Sequence, residues 1–397
     1  MSDTLNVTYS GRFGHLLGLS LKTLVLTILT LGIYRFWMKA RMRRYYWASI
    51  QPGGVPMEYH GTGIEKLLGF LVAAVFLAIY LLILNIILSF VGLAFFQGNP
   101  IATSISFLAV MPLIFFARYR ARRYILSRTR WRGLRFGVEP VAIEYMWRAI
   151  GHTILTVITL GLLYPRQQFK LEKFVTDRTW YGNVRLTQNG SWMLLFRPWM
   201  FVLGSFVLLV AGVLQAALTG NPDNLVFVPV LLPVILIAFA YYGVASFRVL
   251  TQHKQAGHFV GFSSTIRTGR VVRIYLLGSL ALLGVMFAAL LALLGIGIVF
   301  FASLGIDAST MGNLMEQPLN GPAGMAGFGF SIFAYFFLML VIGAFAEVFF
   351  VQPLLRHYAE ELQILNAGEL DLASQRPHDA AVEAEGFADA LDVGAAI

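Results

Sequence analysis

Long runs of hydrophobic residues dominate the chain and occur in pairs. Six of these runs approach or exceed the about 20 residues that a helix needs to cross a membrane. They occupy residues 67–96, 101–117, 198–218, 225–247, 274–304 and 327–355. The pattern predicts three transmembrane helical hairpins separated by polar connections.

Basic residues divide the polar connections into two kinds. The connections within the three pairs contain no Lys or Arg and are residues 97–100, 219–224 and 305–326. The other connections are basic, with eight Lys or Arg in residues 118–135, six in 166–197 and five in 248–273. Because Lys and Arg are retained in cytoplasmic loops, this asymmetry predicts that the basic connections and the C-terminus are cytoplasmic.

Two further apolar segments do not fit three simple hairpins. Residues 14–37 contain Lys22, and residues 141–165 contain Glu144, Arg148 and His152 and are flanked by basic clusters on both sides. A single crossing by residues 141–165 would place one of those clusters outside. We therefore expect both segments to enter and leave on the cytoplasmic side, as interfacial helices or shallow re-entrant elements. The alternative is eight full spans, with the charge rule broken locally.

These two segments are copies of each other. Thr27-Ile28-Leu29-Thr30-Leu31-Gly32 aligns with Thr156-Val157-Ile158-Thr159-Leu160-Gly161, from position 27 to position 156, an offset of 129 residues. The match continues without a gap as far as Gly61 and Gly190. A weaker third unit over residues 248–355 lacks the Thr-Leu-Gly element. Such repeats commonly build a pseudosymmetric bundle with a shared interface.

Each basic connection has a common internal order. A helix-like run rich in Arg and aromatic residues comes first, and a segment that alternates aromatic residues with glycine follows, as in residues 129–136 and 179–185. Alternation of this kind favours short strands, which we expect to pair into a small sheet at the cytoplasmic surface. The alternative is that these are ordinary snorkelling arginines and interface aromatics. The candidate contacts to lipid head groups are Arg41, Arg43, Arg44, Arg120, Arg122 and Arg123.

The predicted fold class is therefore an all-α polytopic membrane protein. It has six to eight transmembrane helices in repeated hairpin units, with short cytoplasmic β segments at the membrane surface. No small-residue cleavage site follows the first apolar segment, so no cleavable signal peptide is predicted. The Ala/Glu/Asp-rich end, from about residue 366, is predicted to be a disordered cytoplasmic extension. The expected divisions are residues 1–66, 67–117, 118–197, 198–247, 248–355 and 356–397.

Three short motifs resemble the signature of the YjgN-like family of bacterial multi-pass inner-membrane proteins. They are the Thr-Leu-Gly-Ile-Tyr-Arg-Phe-Trp run at residues 30–37, Arg-x-Arg-Arg-Tyr-Tyr at 41–46 and Tyr-x-Gly at 59–61. The resemblance covers roughly residues 5–372, although the second copy departs from the pattern at residues 162–166 and the third copy is degenerate. It implies location in the inner membrane and a topology class, and it supplies no reaction, ligand or catalytic residue.

Composition supports a membrane protein and excludes several other classes. Of 397 residues, 58% are hydrophobic and 13% are charged, and the mean hydropathy is +0.71. A soluble domain carries about 25% charged residues. The same hydrophobicity excludes disorder for the body of the chain. Because there is no cysteine, disulfides, thiolate metal sites and cysteine nucleophiles are excluded.

The positive net charge of +10 does not indicate nucleic-acid binding. The acidic end from Glu360 onward has nine acidic residues and one basic residue, which leaves 29 basic and 11 acidic residues in the body of the chain. Those basic residues lie between apolar runs, where they pair with anionic lipid head groups. We therefore expect membrane lipids on the cytoplasmic side as partners and no nucleic acid, and protein partners stay open.

No catalytic constellation emerges from the residues. The seven histidines form no metal-binding spacing, and no nucleophile elbow, P-loop or dinucleotide fingerprint is present. We expect neither an enzyme nor a bound cofactor or metal. Ionisable groups inside apolar runs are the default candidates in a membrane. Glu347 is therefore a candidate intramembrane ion site, and the alternative is an interfacial carboxylate satisfied by water or Arg356. Asn85 and Gln215 are further candidate polar residues, which fit hydrogen bonds between helices better than ligand binding. Glu144 and Arg148 have the spacing of an ion pair on one helix face.

Two functional hypotheses follow from these features. The repeated hairpins and glycine-broken apolar elements are compatible with a transporter or channel-like protein for an unidentified solute, which is the first hypothesis. The alternative is a structural or lipid-organising membrane scaffold, in which re-entrant segments and Arg/aromatic clusters contact lipid. No residue specifies a substrate.

Overall fold

Short strands and long apolar helices alternate along the chain in the computed structural model, which describes residues 4–96, 101–220, 225–226, 228–306 and 321–376. The strands are β1 (Leu5–Tyr9), β2 (Ile50–Pro52), β3 (Glu58–Tyr59), β4 (Thr129–Trp131), β5 (Leu134–Val138), β6 (Thr179–Tyr181), β7 (Val184–Gln188), β8 (Lys254–Ala256), β9 (Val260–Ser264) and β10 (Leu362–Leu365). All of them join one antiparallel sheet in the order β2-β1-β10-β9-β8-β7-β6-β5-β4-β3.

The helices occupy the intervals between these strands. They are α1 (Phe13–Leu29), α2 (Arg35–Ser49), α3 (Gly63–Phe96), α4 (Ile101–Ser127), α5 (Ala142–Ile158), α6 (Tyr164–Thr176), α7 (Met193–Thr219), α8 (Val228–Gln252), α9 (Thr268–Ser303), α10 (Pro322–Ala346) and α11 (Gln352–Glu360). A π-helical turn, Glu347–Val351, joins α10 to α11, and a 3-10 helix, Ala367–Leu372, follows β10.

Five of the described helices are long and apolar enough to cross a membrane. They are Gly63–Ala94, Met193–Thr219, Val228–Gln252, Thr268–Ser303 and Ala323–Glu360. The chain is therefore a polytopic membrane protein, as predicted. The predicted count of six to eight spans stays a prediction. The expected turn at residues 97–100, and most of those at 219–224 and 305–326, lie outside the described residues.

The sheet is much larger than the small sheet expected, so the all-α class is incomplete. Its strands are only two to five residues long, which is too short for strand periodicity to stand out beside 30-residue helices. Tight turns set the local pairing: Arg132 and Gly133, both with positive φ, join β4 to β5. Two central residues with positive φ match the twist of a two-residue hairpin.

The ten strands curl around a common interior. Only six residue steps separate Pro52 at one edge from Glu58 at the other, and they span at most about 22 Å. Nine flat inter-strand spacings would amount to about 43 Å, so the two edges must approach each other. Trp131, Tyr181 and Val260 are buried inside, and Leu370 of the 3-10 helix packs on them.

Ordered structure thus extends further towards the C-terminus than expected. Residues 367–376 were expected in a disordered extension, yet Ala367 and Leu370 are buried in the apolar interior of the sheet. The expected disordered segment beyond residue 376 lies outside the described residues.

The repeat is reproduced in the element boundaries. At the offset of 129 residues, Leu5–Tyr9 maps onto Leu134–Val138, and Phe13–Leu29 maps onto Ala142–Ile158. Ile50–Pro52 likewise maps onto Thr179–Tyr181. The third copy of the repeat keeps the order of strand, helix pair and strand, but its first helix, α9, is much longer than α1 and α5.

The chain divides into two compact units. The first contains Met1–Ser10, Lys39–Gly269 and His357–Ile397, and the second contains Gly11–Met38 and Arg270–Arg356. The first unit holds the sheet and a second apolar cluster in which helices α4, α5 and α6 meet. In the second unit, α1 packs on α9 and α10 through a cluster of four buried residues: Leu24, Ala289, Val341 and Ala344.

Candidate functional site

Each described pair of helices follows one strand of the sheet and is followed by a second strand that pairs with the first. The segment from α1 to α2 leaves after β1 and returns to β2, and the Ser10 amide donates to the Ser49 carbonyl over 2.9 Å. The segment from α5 to α6 leaves after β5 and returns to β6, and the Glu139 amide donates to the Arg178 carbonyl over 3.1 Å. The two ends of each helical segment therefore lie next to each other at the sheet.

The two short helix pairs turn in the same way. The Gly32 amide donates to the Thr27 carbonyl over 2.8 Å, and the Leu31 amide donates to the Ile28 carbonyl over 3.1 Å. These bonds from residue six to one and from five to two form a Schellman motif, which ends a helix in a left-handed residue. In the second copy, the Gly161 amide makes the same bond to the Thr156 carbonyl over 2.7 Å.

A leucine occupies the left-handed position of both turns. Leu31 and Leu160 each have φ of 50°, and their side chains are 94% and 90% exposed. The left-handed region costs an L-residue roughly 1–2 kcal/mol, and glycine is the usual residue there. Both copies thus carry a large apolar side chain at a strained, fully exposed tip.

The second helix pair is closed by a polar network. Gln167 on α6 donates to Thr153 over 2.7 Å and accepts from Thr156 over 2.8 Å. The indole of Trp199 donates to the Gly161 carbonyl over 3.0 Å. These bonds satisfy the polar groups near the tip, which a lipid environment would require.

The first candidate arginine cluster surrounds a buried tyrosine. The Arg43 guanidinium lies 5.4 Å from the ring centre of Tyr59, and the ammonium of the fully buried Lys66 lies 5.5 Å from it. Arg44 donates to the Gly61 carbonyl over 3.0 Å, and Arg41 is exposed. Arg41 and Arg44 are therefore the exposed arginines of this group, and Arg43 is half-buried.

The second candidate cluster is held largely by protein groups. Arg123 is buried and donates through Nε to the Val138 carbonyl over 3.1 Å. Arg120 lies with its guanidinium 5.4 Å from the ring centre of Phe116. Arg122 binds Glu172 through two nitrogens, at 3.1 and 3.3 Å.

Glu172 connects three elements of the first unit. Besides Arg122 on α4, Lys254 on β8 lies 2.6 Å from the Glu172 carboxylate. Burial by itself would raise the pKa of Glu172, but the charges of Arg122 and Lys254 outweigh it and hold that pKa well below its usual range. The carboxylate therefore stays ionised at neutral pH and ties α6 to the sheet.

Sequence reasoning did not single out Glu172, Lys254 or Lys66. A signal for Glu172 was present, because it is the sole acidic residue within Tyr164–Thr176. Lys66 follows a short polar segment at the start of α3, where a basic residue looks like an ordinary membrane-interface lysine. Its burial depends on Tyr59, which arrives from β3.

The predicted intramembrane polar residues belong to three different elements. Asn85 is exposed on α3 and donates to the Leu81 carbonyl of its own helix over 2.8 Å, and Gln215 is exposed on α7. Glu347 belongs to the second unit, where it is half-buried and begins the π-helical turn. Glu144 and Arg148 form an ion pair of 2.8 Å on α5.

Among the described residues, no group of three or more His, Asp or Glu side chains is placed to hold a metal ion. Glu172 and Glu65 have basic partners instead, and Glu65 binds Arg128 at 3.3 Å.

Comparison with known proteins supplies a family. The family described as "Bacterial protein of unknown function (DUF898)" matches residues 4–390. The curated "Inner membrane protein YjgN" of Salmonella typhimurium is 24% identical over 157 residues, which are 40% of this chain and 37% of that protein. The match therefore spans little more than a third of that relative's length, and it confirms the resemblance to YjgN-like proteins. No solved structure matches the chain.

Proposed function

The chain belongs to the DUF898 family of bacterial proteins of unknown function, and from that premise we propose that it organises lipids in one leaflet of the inner membrane. In this proposal the two short helix pairs are wedges that enter the bilayer from the side of the sheet and return to it. The protein acts without catalysis and without a cofactor. The observation that carries the proposal is the exposed leucine at the tip of both pairs.

Strand pairing supports entry and return on one side. A segment that crossed the bilayer once would place its two flanking strands on opposite sides, yet β1 pairs with β2 and β5 pairs with β6. Two crossings by one pair would need helices that traverse about 30 Å each. At about 1.5 Å per residue, the 17 residues of α1 extend about 25 Å and the 15 residues of α2 about 22 Å.

The charged residues limit how deep each tip reaches. Lys22 lies nine residues before Leu31, or about 13 Å along a helix, but Arg35 follows only four residues after it. In the second copy, Arg166 follows Leu160 by six residues. Long basic side chains extend back towards the head groups, so we expect shallow insertion, with the leucines below the interface and the arginines at it. Anionic lipid on the cytoplasmic side is then the natural partner.

Depth measurement at the tips tests this proposal directly. Because the chain has no cysteine, Leu31→Cys and Leu160→Cys each give a single labelling site for a nitroxide in reconstituted vesicles. We expect both labels to be more accessible to oxygen than to a water-soluble nickel chelate. Phe259→Cys is the matched control, since Phe259 is an exposed apolar residue in the turn between β8 and β9, and we expect it to be accessible to the chelate. Chelate access at both leucine positions would reject the wedges.

A transport role is a second candidate, favoured by one observation. Glu347 begins a π-helical turn at the end of the long apolar helix α10, and such turns frequently mark functional sites. If Glu347 couples to an ion, Glu347→Gln abolishes proton or cation flux into proteoliposomes while the protein still folds. Equal flux in wild type, Glu347→Gln and protein-free vesicles would reject this candidate.

A further inference from the structure

A basic cleft lies beside the sheet in the first unit. It has a volume of about 340 Å³ and is lined mainly by residues of α4, β5 and β6. Four arginines line it: Arg123, Arg128, Arg135 and Arg376. This size is typical of a site for one small group or molecule.

Among the described residues, the cleft contains little negative charge. Glu139 is the sole acidic residue of the described lining, and its carboxylate lies 3.6 Å from Arg178, outside the lining. Arg128 forms an ion pair of 3.3 Å with Glu65, which lies outside the lining. Four guanidinium groups thus share a small space with one carboxylate that has another basic neighbour.

Two buried donors on the wall lack an acceptor. The indole Nε1 of Trp180 and the Nε of Arg128 are buried and have no hydrogen-bond partner within the part of the chain that the structure describes. Buried donors are normally satisfied, and exceptions need an explanation such as a bound group. Trp180 and Arg128 both line the cleft, so a small movement of these side chains would let an anion with several oxygen acceptors satisfy the two donors.

Residues 374–376 close one side of the cleft. The Gln375 side chain accepts from the Arg135 amide over 2.9 Å, and Ser374 exchanges hydrogen bonds with Asn183. The Arg376 guanidinium then lies 4.6 Å from the ring centre of Trp180. The cleft is thus built from elements far apart in sequence.

The internal repeat provides a comparison within the molecule. Trp180 pairs with Gly137 one step from the end of the β5–β6 ladder, and the matching positions in the other two ladders are Gln51 and Gln363. Arg135 corresponds to Asn6 at the offset of 129 residues. The first copy therefore carries no charge at the position of Arg135, and both other copies have glutamine in place of Trp180.

We propose that this cleft binds a phosphate group, held by Arg135, Arg376 and the Trp180 indole. Guanidinium groups bind phosphate oxygens through paired, charge-assisted hydrogen bonds. The ring of Trp180 is covered by the guanidinium of Arg376, so stacking of a base or sugar on that face is excluded. The phosphate belongs either to a lipid head group or to a small soluble molecule, and this inference does not depend on the proposed wedges.

Calorimetric titration of the full chain in detergent micelles tests the proposal. One arm adds inorganic phosphate, and the other adds phosphatidylglycerol to mixed micelles, with phosphatidylcholine as the reference lipid. Saturable phosphate binding would support a soluble ligand, and binding of phosphatidylglycerol alone would support a lipid head group. Absence of saturable binding in both arms would overturn the proposal.

Three variants tie binding to the cleft. Arg135→Gln is expected to weaken affinity by about tenfold or more, because a charge-assisted contact is lost. Trp180→Phe keeps a ring for Arg376 but removes the indole donor, and we expect weaker binding with unchanged thermal stability. Arg197→Gln removes an exposed arginine of α7 outside the cleft and is expected to bind like wild type. Equal affinity of Arg135→Gln and Arg197→Gln would also overturn the proposal.

Discussion

The two short helix pairs, α1–α2 and α5–α6, and the long pair formed by α9 and α10 occupy equivalent places in the repeat but differ in length. Helices α1 and α5 have 17 residues each and turn back, whereas α9 continues for 36 residues. All three pairs begin after one strand and return to a paired strand. One scaffold of strand, helix pair and strand can therefore carry either a shallow hairpin or a full transmembrane pair.

The turn residues explain this difference. At the boundary-matched offset of 126 residues, from β5 to β9, Gly161 corresponds to Phe287 and Thr159 to Val285. Gly161 has φ of 86°, a conformation that a phenylalanine rarely adopts. The third copy of the repeat has no glycine at that position, and α9 continues through it.

The largest expected effect comes from detaching the second short pair from the sheet. Glu172→Gln removes the charge that holds Arg122 and Lys254 together, whereas the first pair has Arg43 at the matching position. The Glu172 side chain is 20% exposed, so we expect a loss of about 2–3 kcal/mol in the free energy of unfolding. Denaturant unfolding in detergent at neutral pH measures it.

The same variant has a defined pH dependence. The folded state lowers the pKa of Glu172, so the carboxylate contributes stability above its unfolded pKa of about 4.3. That contribution is lost as pH falls through the lower folded pKa. The stability gap between wild type and Glu172→Gln should therefore be constant near neutrality and narrow in acid. A gap that widens in acid would contradict the role given to this carboxylate.

The next effect concerns the turn itself. Gly161→Ala places a side chain in open space but at positive φ, and we expect a loss of about 1–2 kcal/mol. Gly151→Ala is the matched control in the same helix pair: its Cβ also meets open space, and its backbone is helical. The control should gain about 0.5–1 kcal/mol. Thermal unfolding of both variants should shift in opposite directions, and equal shifts would reject the turn argument.

A smaller effect separates the first pair from the second. The Ser20 hydroxyl on α1 donates to the Ala344 carbonyl over 2.6 Å, whereas the matching residue on α5 is the buried Ala149. Ser20→Ala should cost about 0.5–1.5 kcal/mol. Ser303→Ala, which loses a bond only to its own helix at an exposed position, serves as the control and should change the melting temperature less.

The smallest effect tests the strained leucine. Leu160→Gly relieves the left-handed residue but adds freedom to the unfolded chain, so a net gain of about 0.5 kcal/mol is expected. Association of the hairpin with lipid should fall at the same time, because the tip loses its apolar side chain. A stability loss measured by thermal unfolding in detergent would show that Leu160 serves packing instead.

Sequence reasoning predicts the repeat and the helices well, because apolar periods and the Thr-Leu-Gly copies are local signals. Sequence reasoning locates strand segments but does not identify which strands pair, because the partners are far apart in sequence. Strand β1, for example, pairs with β10 near the other end of the described chain. Arg122, Glu172 and Lys254 meet only after α4, α6 and β8 have been assembled. Arg376 lies in a segment whose composition indicates disorder, although the apolar residues just before it anchor that segment inside the sheet.

Sidedness of the sheet is the central claim, and single-cysteine labelling measures it most directly. Ser10 and Glu58 flank the first short pair, and Asn189 and His258 lie in later connections; all four are exposed. A membrane-impermeant maleimide applied to vesicles of known orientation should modify all four cysteine variants from one and the same side. Modification of Ser10→Cys and Glu58→Cys from opposite sides would contradict the account.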